Sequence, residues 1–569
     1  MDNQTKKLIQ DAVSLKGEGK HAEAKEIYIK LLKILPNHPA IFEDLGDISF
    51  KEFDYINATH LYNRSLELQK NQTNIFYKLG LCQTHLKNLQ EAKVCYDKAI
   101  ILKPDFIAAI YNRANIHFDL NLFKEAIEDF DQFLNHKSDY ADAYLNRGLA
   151  YWHLGELERA LSDYDKAIVI NPSSAEALNN KAHTLKDMGR FDDAIKFYEQ
   201  SIEVNQNYVD ALSNLGVLYY QLKNYDKALH SYEAALQINP QYPNAYRNKS
   251  HLKLLCGDFE EGWSLHEWRW KVDPMKNSLR HYDSPLWLGK ESINGKVIYV
   301  YYEQGLGDTI QFCRYIPMLE SLGAEVIFET QKELLELMGS LSSTIKIVDQ
   351  YQDSLKFDYH CPLMSLPLAF RTTLKNIPSK PYIRAKKEKV ILWAERLGKK
   401  ERMRVGLVWS GGARENQAHT YAAHKRRNIE LLKLKPLRSV LDMSFFSLQK
   451  GKLAENELED LIKKNWDGPI INNFTSELID FSDTAALIMN LDLIISVDTS
   501  TAHLAAAMGK SVWLLNRYDT CWRWLDDGRT DSPWYPSIRL FRQPKTNDWE
   551  SVINEVCVEL KKLTGSNLS

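Results

Sequence analysis

A fixed repeat of 34 residues governs the first half of this chain. Alanines recur at that spacing without a slip, at Ala24, Ala58, Ala92, Ala126, Ala160, Ala194 and Ala228. An aromatic residue follows each of them by four positions, at Tyr28, Tyr62, Tyr96, Phe130, Tyr164, Tyr198 and Tyr232. A period of this length indicates identical supersecondary units stacked in a row, so it predicts an α-solenoid for this part of the chain.

Two further periodic positions indicate the kind of repeat. A small residue precedes each alanine by twelve positions, at Ala12, Gly46, Gly80, Ala114, Gly148, Ala182 and Gly216, and every second unit closes on Pro36, Pro104, Pro172 or Pro240. Small residues let two antiparallel helices approach closely, and proline ends the second helix. The pattern resembles the tetratricopeptide repeat, with seven units and a partial eighth over residues 5–270. The eighth unit carries Trp263, Trp268 and Trp270, which we predict dock the solenoid onto the next domain.

Asparagines follow the same period on the first helix of the later units, at Asn112, Asn146, Asn180, Asn214 and Asn248. An amide both donates and accepts hydrogen bonds, so a row of amides can bracket a peptide backbone without reading its side chains. The row resembles the asparagine ladder of the O-linked N-acetylglucosamine transferases, which implies a polypeptide or protein acceptor in a repeat groove. The alternative is that asparagine is merely tolerated there. The earlier units carry Gln10, Asp44 and Lys78 at this position, so we expect the ladder only in the half nearer the second domain.

Composition excludes several classes of protein. The formal net charge is −3, from 72 basic and 75 acidic residues, which favours neither a nucleic-acid nor an anionic-membrane partner. The seven cysteines form no CxxC pair and no metal-ligand spacing, so we expect a reducing, cytoplasmic location and no metal site. The N-terminus lacks the apolar region of a signal peptide, and no apolar run reaches the roughly 18 residues of a membrane span.

Beyond a connector at 271–294, strand and helix patterns alternate. The block 295–386 contains predicted strands at 296–302, 324–330 and 345–349, with an amphipathic helix at 309–323. The block 387–547 begins with a predicted helix near 387–399 and contains predicted strands at 404–410, 443–449, 470–474, 493–498 and 511–516. A C-terminal helix and tail follow at 548–569. This order predicts two doubly wound, Rossmann-like α/β domains with ligands at the carboxyl ends of parallel strands.

A short glycine-rich turn follows the first strand of the first block. Gly305 and Gly307 permit a tight turn with close approach of a ligand, and Asp308 stands at the start of the next helix. One interpretation of Asp308 is a helix N-cap stabilised by the helix dipole. The other is a general base that faces the cleft between the two domains.

The second block holds a larger set of candidate residues. A strand ends at Asp498, and Thr499, Ser500 and His503 open the next helix, where free amides and hydroxyls favour a diphosphate. The alternative there is an N-cap followed by a core histidine. Ser410 and Gly411 end another strand and permit close approach of a ligand. The basic run Lys425, Arg426 and Arg427 would usually be a solvated face, but beside two phosphate loops one arginine could clamp a leaving diphosphate.

Several segments together resemble a known family of enzymes. They are GLGDTIQF, VGLVWSGG, RRNIEL, SLQ, FSDTAALIMNLDLIISVDTSTAHLAAAMGK and DSPWYP. They resemble the two-domain glycosyltransferases related to bacterial lipopolysaccharide heptosyltransferases (glycosyltransferase family 9), over residues 295–545. The resemblance implies a GT-B fold, with the acceptor on the first block and the nucleotide-sugar on the second. It also implies inversion at the anomeric carbon without a bound metal or cofactor, the nucleotide-diphosphate sugar being a co-substrate.

The resemblance also assigns residues. It implies that Asp308 is catalytic and that Arg427 binds phosphate, with Lys425 an almost equal candidate. The nucleotide-sugar would lie against Gly305, Gly307, Ser410, Gly411, Gln449, Asp498, Thr499, Ser500 and His503. Many heptosyltransferases have glycine at the position of Ser500, so heptose is not assumed as the donor sugar.

The sequence leaves three functions open. The first is a glycosyltransferase whose solenoid holds a polypeptide acceptor. The second is a repeat adaptor whose transferase-like domain binds a ligand without turnover. The third is a transferase that acts on lipopolysaccharide or another glycan.

Overall fold

The structure is a computed structural model that describes residues 2–412 and 426–565. Lys425 of the predicted phosphate site lies outside these residues. The chain divides into two compact units, Met1–Gln206 and Asn207–Ser569. The division falls within the repeats, because the first unit holds the earlier helix pairs and the second holds the last pairs together with the α/β region.

Antiparallel helix pairs follow the predicted period. In the first unit the helices are α1 Asn3–Gly17, α2 His21–Ile34, α3 Pro39–Lys51, α4 Tyr55–Leu68, α5 Thr73–His85, α6 Leu89–Leu102, α7 Ile107–Asp119, α8 Phe123–His136, α9 Ala141–His153, α10 Leu157–Ile170, α11 Ala175–Asp187 and α12 Phe191–Val204. In the second unit they are α13 Val209–Gln221, α14 Tyr225–Ile238, α15 Pro243–Leu255 and α16 Phe259–His266. The predicted helical repeats are confirmed.

The periodic aromatic residue packs on the periodic small residue of its own 34-residue repeat. A Cβ placed on Gly46 would lie 2.5 Å from the ring of Tyr62, and one on Gly216 would lie 2.5 Å from the ring of Tyr232. A larger side chain would therefore push the two helices of the pair apart. The ring of Tyr62 also belongs to a core cluster with Ile75 of the following helix pair, so it packs two successive repeats together.

A second periodic feature, missed in the sequence, is a row of cations in the first unit. The guanidinium of Arg113 bonds Asp129 of its own repeat at 2.6 and 2.9 Å and Asp97 of the preceding repeat at 2.8 Å. Arg147 repeats the arrangement with Asp163 and Asp131. Each arginine thus ties two successive repeats together through carboxylates on their second helices.

The first sheet is entirely parallel. Its strands are β1 Val297–Tyr301, β2 Glu325–Glu329, β3 Lys346–Val348 and β4 Tyr359–Pro362, in the order β3-β2-β1-β4. Its helices are α17 Leu306–Phe312, α18 Ile316–Ser321, α19 Leu335–Met338 and α20 Leu366–Ala369. The sequence missed β4. The single helix predicted at 309–323 is divided by a 3₁₀ turn at Cys313–Tyr315, because Pro317 cannot donate a helical hydrogen bond.

One face of this sheet differs from the doubly wound prediction. Ile298 and Val300 pack with the helices, whereas Tyr299 and Tyr301 on the other face pack with Tyr282, Leu355 and Phe357 from irregular segments. Residues 349–358, all described, connect β3 to β4 without a helix. A crossover with a helix needs about a dozen or more residues, so this connection is too short for one.

The second sheet is parallel and covered on both faces. Its strands are β5 Met403–Val408, β6 Met443–Ser447, β7 Ile471–Asn473, β8 Leu493–Val497, β9 Val512–Asn516 and β10 Ile538–Arg542, in the order β10-β9-β8-β5-β6-β7. The helices are α21 Lys387–Leu397, α22 Lys452–Lys463, α23 Phe481–Met489, α24 Ser500–Ala507 and α25 Trp549–Leu563. Helices α23 and α24 pack on one face, α22 and α25 on the other. The parallel α/β architecture is confirmed, although β10 was not predicted.

The last repeat packs against the α/β region within the second unit. The side chain of Trp263 is 2 % exposed, and its ring centroid lies 5.4 Å from that of Trp522 and 6.0 Å from that of Phe312. Trp263 therefore docks the end of the repeats as the sequence suggested. Trp268 stacks instead on Tyr246 of the repeat itself. Among the described residues, none of the helices combines the length and the apolarity that a membrane crossing requires.

Candidate functional site

Loops from both sheets begin at the points where the strand order reverses. In the first sheet the chain leaves β1, which lies between β2 and β4, through residues 302–305 into α17. In the second sheet the neighbours β5 and β8 lead to the loops at 409–412 and 498–499. The connections on either side of such a point diverge and leave a crevice at the carboxyl ends of the strands. The predicted site residues other than the asparagines, Gln449 and Lys425 lie on these loops, on the first turns of the helices that follow, or beside them.

The loop after β8 is fixed by its own side chains. Thr499 is the N-cap of α24, and its hydroxyl accepts from the backbone N–H of Ala502 at 3.4 Å and lies 3.0 Å from the hydroxyl of Ser496. Ser500 is the first residue of the helix. The N-cap interpretation of this segment is therefore observed. The remaining free amides of the first turn point out of the helix end, where they favour an anion.

The buried His503 lies beside Asp498, whose side chain is 22 % exposed, at this helix end. The imidazole is 4 % exposed, its Nε2 lies 3.6 Å from Asp498 Oδ1, and its Nδ1 lies 3.0 Å from the Tyr535 hydroxyl. The ring also stacks on Trp524. Burial of Asp498 opposes its ionisation, but the adjacent imidazole of His503 and the charge of Arg427 hold the pKa of Asp498 well below its usual range. Asp498 is thus a carboxylate anion within the site.

Arg427 lies between the loops that follow β5 and β8. A Cβ on Gly411 would overlap the Arg427 guanidinium, so in this arrangement the guanidinium packs directly against the glycine and a larger residue would displace it. The backbone N–H of Gly411 donates to Asn428 Oδ1 at 2.9 Å, which fixes the loop under the arginine. Because Arg427 also acts electrostatically on Asp498, the structure brings Gly411, Arg427 and Asp498 together.

Gln449 shapes the same loop from below. Its Oε1 accepts from the backbone N–H groups of Trp409 and Ser410 at 3.1 and 2.9 Å. Its Nε2 donates to the carbonyls of Ser410 and Lys450 at 2.8 and 3.0 Å. These four bonds use the capacity of one amide. A direct contact between Gln449 and a ligand would require the exchange of one of them.

Two further arginines extend the positive region: Arg426 of the predicted basic run and Arg517, which was not predicted. Arg426 Nε lies 3.1 Å from Asp519 Oδ2, and Arg517 Nε lies 3.6 Å from the other oxygen of the same carboxylate. The pKa of Arg517 is raised although burial alone would lower it, because the charges of Asp519 and Asp498 stabilise the cation. An isolated arginine in a loop carries no recognisable pattern, so Arg517 could not be singled out from the sequence.

The loop after β1 reaches the end of α24. A Cβ on Gly307 would lie 3.2 Å from His503 Cδ2 and 3.5 Å from Ser500 Cα, so this glycine permits the close contact between the two loops. The N-cap of α17 is Gly305 and not Asp308, so the predicted N-cap position is wrong. Asp308 is the third residue of the helix, and its Oδ2 accepts from the backbone N–H of Gly305 at 3.1 Å, as in a capping box. Its other oxygen pairs with Arg523 of the second sheet. The structure therefore places Asp308 beside the predicted nucleotide site, and its role as a base stays a prediction.

The asparagine ladder is partly buried and engaged with the protein. Asn112 donates to the Tyr77 hydroxyl at 3.2 Å and Asn146 to Asn115 Oδ1 at 3.0 Å, both in the preceding repeat, while Asn180 accepts from Asn179 at 3.1 Å. In the second unit, Asn248 donates to the Ser213 hydroxyl at 3.2 Å, and Asn214 also has a partner. Three of these amides thus bridge neighbouring repeats. A peptide that binds them would compete with these contacts or use the amide atoms that remain.

Two further features concern ligands. Within residues 2–412 and 426–565, no three His, Cys, Asp or Glu side chains gather in a way that could hold a metal ion. The face of the first sheet that carries Tyr299 and Tyr301 packs on irregular segments, and we call it the helix-free face. It carries an open cavity of about 960 Å³, lined among others by Arg280, Tyr282, Glu329 and Tyr351. None of the predicted site residues that the structure describes lines this cavity.

Comparisons with known proteins support the repeats. Residues 73–106, 111–175 and 173–241 match the tetratricopeptide repeat family. A curated relative, protein FlbA of Caulobacter vibrioides, is 24 % identical over 344 residues, which cover 56 % of this chain and 55 % of FlbA. The chain thus spans about half the length of the relative that it matches. The tetratricopeptide interpretation of the N-terminal region is confirmed.

Tetratricopeptide repeat proteins are among the solved structures that are similar to this chain. YrrB, described as having an unusual peptide-binding site, is 24 % identical and covers 33 % of this chain and 97 % of its own, with a TM-score of 0.29. MamA is 25 % identical and covers 30 % of this chain and 92 % of its own, also with a TM-score of 0.29. A repeat protein from Cytophaga hutchinsonii is 18 % identical and covers 42 % of this chain and 98 % of its own, with a TM-score of 0.36.

Proposed function

We propose that this protein is an inverting, metal-independent glycosyltransferase of GT-B type. It would move a sugar from a nucleotide-diphosphate sugar to a polypeptide acceptor held by the repeats. The observation that carries the proposal is the meeting of the loops from the two reversal points, which brings Asp308 of the first sheet to the arginine-rich site of the second. A ligand in this crevice would face the arginines of the second sheet on one side and the Asp308 carboxylate on the other.

The second sheet suits the diphosphate of the donor. Arg427 is held over Gly411, and the amides at the start of α24 face the same crevice. Guanidinium groups form charge-assisted bonds with phosphate oxygens, and helix N-termini favour anions. As the sugar leaves, negative charge develops on the β-phosphate, and fixed cations stabilise that charge more in the transition state than in the ground state.

The first sheet suits activation of the acceptor. In the proposed step, the acceptor oxygen attacks the anomeric carbon from the side opposite the diphosphate, which leaves with the electron pair of its bond to that carbon. The proton of the acceptor passes to Asp308. The two oxygens of this carboxylate already accept from Arg523 and Gly305. Each carboxylate oxygen has two acceptor positions, so an incoming hydroxyl can still bond to Asp308.

The repeats suit a polypeptide acceptor. Tetratricopeptide arrays present extended concave surfaces to peptides and proteins, and the asparagines would supply the amides that such a chain requires. The confirmed repeats equally suit the second candidate, an adaptor whose α/β region binds a ligand without transfer, while a glycan acceptor leaves the repeats to bind a partner. All seven cysteines are free, which fits the reducing cytoplasm we propose as the location.

Nucleotide binding by the full chain tests the proposal first. The melting temperature would be measured with UDP, GDP and ADP, because a ligand that binds only the folded state raises it. Calorimetry with the most stabilising nucleotide would follow for the wild type and for Arg427→Ala. Arg396→Ala is the matched control, since Arg396 forms an exposed ion pair with Glu477 and neither residue belongs to the predicted site.

The corresponding nucleotide-sugars would then be offered with a peptide library, and sugar on peptide would be detected by mass spectrometry. Binding together with transfer supports the enzyme. Binding without transfer to peptide, glycan or water favours the adaptor. No stabilisation by any nucleotide would contradict both the donor site and the enzyme.

A further inference from the structure

Arg523 occupies a rigid segment that touches both sides of the proposed site. It lies in the 3₁₀ turn Trp522–Trp524 after β9, between two tryptophans that are 4 % and 0 % exposed. The Trp524 ring stacks on His503 with centroids 5.2 Å apart, and the Trp522 ring packs against Trp263 at the end of the repeats. Because its neighbours on both sides are buried, the backbone at Arg523 has little room to move. Functional groups must be held in a fixed geometry by packing of this kind.

The guanidinium of Arg523 forms hydrogen bonds with two side chains of α17. It pairs with Asp308, and its Nε donates to Gln311 Oε1 at 2.9 Å. A third nitrogen donates to Cys521 Sγ at 3.2 Å, and the group lies 4.2 Å above the ring of Trp522. Only 13 % of the Arg523 side chain is exposed. The second sheet therefore fixes the orientation of the carboxylate that the first sheet supplies.

We propose that Arg523 is a positioning residue for sugar transfer, which acts by holding the Asp308 carboxylate in the orientation that accepts the acceptor proton. This inference rests on the proposed function. Without Arg523, the carboxylate would keep only its bond to the Gly305 N–H and could rotate away. Small displacements of a reacting group lower rates strongly, since the advantage of a bound reaction depends on its geometry.

A different role for the same side chain would be a second clamp on the diphosphate. The two roles predict different measurements. A clamp contributes to nucleotide affinity, as Arg427 does in the proposed function. A residue that only positions Asp308 leaves nucleotide affinity unchanged and lowers the rate of transfer, and its effect disappears when Asp308 can no longer act as a base.

The experiment compares the full-length wild type with R523A, R523K, D308N and the double variant D308N/R523A. UDP, GDP or ADP, whichever stabilises the wild type, serves as the binding probe, and release of that nucleotide from its sugar donor with the peptide library gives the rate. We expect R523A to lower kcat roughly tenfold to a hundredfold, the loss typical of a slightly misplaced group, with nucleotide Kd unchanged. The kcat of R523K should lie between those of R523A and the wild type, because an ammonium keeps the charge but lacks the planar arrangement of donors that reaches the three partners of Arg523. The double variant should be no slower than D308N.

Three results would overturn the inference alone: R523A with wild-type kcat, R523A with weakened nucleotide binding like that of R427A, or a double variant slower than D308N by the full factor of R523A. A wild type that binds no nucleotide and transfers no sugar would overturn the proposed function and this inference with it. Melting curves accompany every variant. If R523A does not fold, R523Q replaces it, since glutamine is larger than alanine and retains a polar amide near the position of the arginine Nε.

Discussion

The two parallel sheets contribute side chains of opposite charge to the candidate site. The first brings a carboxylate, Asp308, on the helix after its central strand, whereas the second brings Arg427, Arg517 and Arg523. The second is packed by helices on both faces, while one face of the first has irregular segments and an open cavity. The position of the candidate site thus follows from where each strand order reverses, and the outer faces of the two sheets can be covered differently without moving it.

The substitution Asp308→Asn is expected to have the largest effect, and to change the rate of transfer without changing nucleotide binding by the second sheet. Transfer should fall roughly 10²–10⁴-fold, the usual contribution of a positioned general base, with nucleotide affinity unchanged. The amide retains the size of the carboxylate and much of its capping, so the melting temperature should stay close to that of the wild type. Transfer is measured at saturating donor beside a melting curve. Normal turnover with normal melting would leave Asp308 as a helix cap and the base unidentified.

Arg427→Ala should show the converse on the second sheet. Lost charge-assisted hydrogen bonds contribute about 1.5–3 kcal/mol each, so nucleotide diphosphate affinity should fall roughly tenfold to more than a hundredfold. Titration calorimetry at constant ionic strength measures the effect, with Arg396→Ala as the control. An unchanged affinity would move the role to Lys425 or remove it from this basic run.

The helix-free face of the first sheet should affect stability and not binding. Arg280 bonds both oxygens of Glu329 at 2.6 and 2.7 Å, and the Glu329 side chain is 2 % exposed. Arg280→Ala leaves this buried carboxylate without its cation, and we expect a loss of about 1–3 kcal/mol in the free energy of unfolding. Denaturant titration measures it, with the exposed Lys356 of the same cavity as the control site. A change in nucleotide affinity would show that this face communicates with the site.

The smallest effect is expected in the repeats. Replacing Asn180, Asn214 and Asn248 together with alanine should leave nucleotide affinity intact and lower use of a peptide acceptor roughly threefold to tenfold, since one hydrogen bond contributes about 0.5–1.5 kcal/mol. The apparent KM for a peptide that the wild type modifies is the measurement. Loss of folding in this variant would show that the bridges between repeats, such as Asn248 to Ser213, are structural.

The sequence predicts features that repeat or alternate. The 34-residue period gave the helix pairs because Gly46 and Tyr62 must occur at fixed places for the helices to pack. The strands of both sheets were found from runs of β-branched, aromatic and other apolar residues, except β4 and β10, which are interrupted by polar residues such as His360 and Arg539. The cations at 113, 147, 181 and 249 also keep the period, so this row could have been found.

The candidate site was predictable only where its residues lie on loops that follow strands. Gly411, Asp498 and His503 could be grouped because parallel strands end at one edge of a sheet. Arg523 could not, because its contact with Asp308 spans 215 positions and depends on two buried tryptophans beside it. The helix-free face was missed for another reason, since a short connection without a helix looks the same in sequence as an ordinary loop.

The packing of Trp263 decides where this chain can be divided. The periodic pattern ends near residue 270, but Phe259 and Trp263 belong to the same hydrophobic core as Ile298 of the first sheet and Leu514 of the second. A fragment that begins after the last repeat would expose the indoles of Trp522 and Trp534 to water and would tend to self-associate. A fragment that begins at Asn207 would keep this core closed. The last two helix pairs are thus part of the folding unit of the proposed enzyme, and a recombinant piece or an exchange between relatives would have to carry them along.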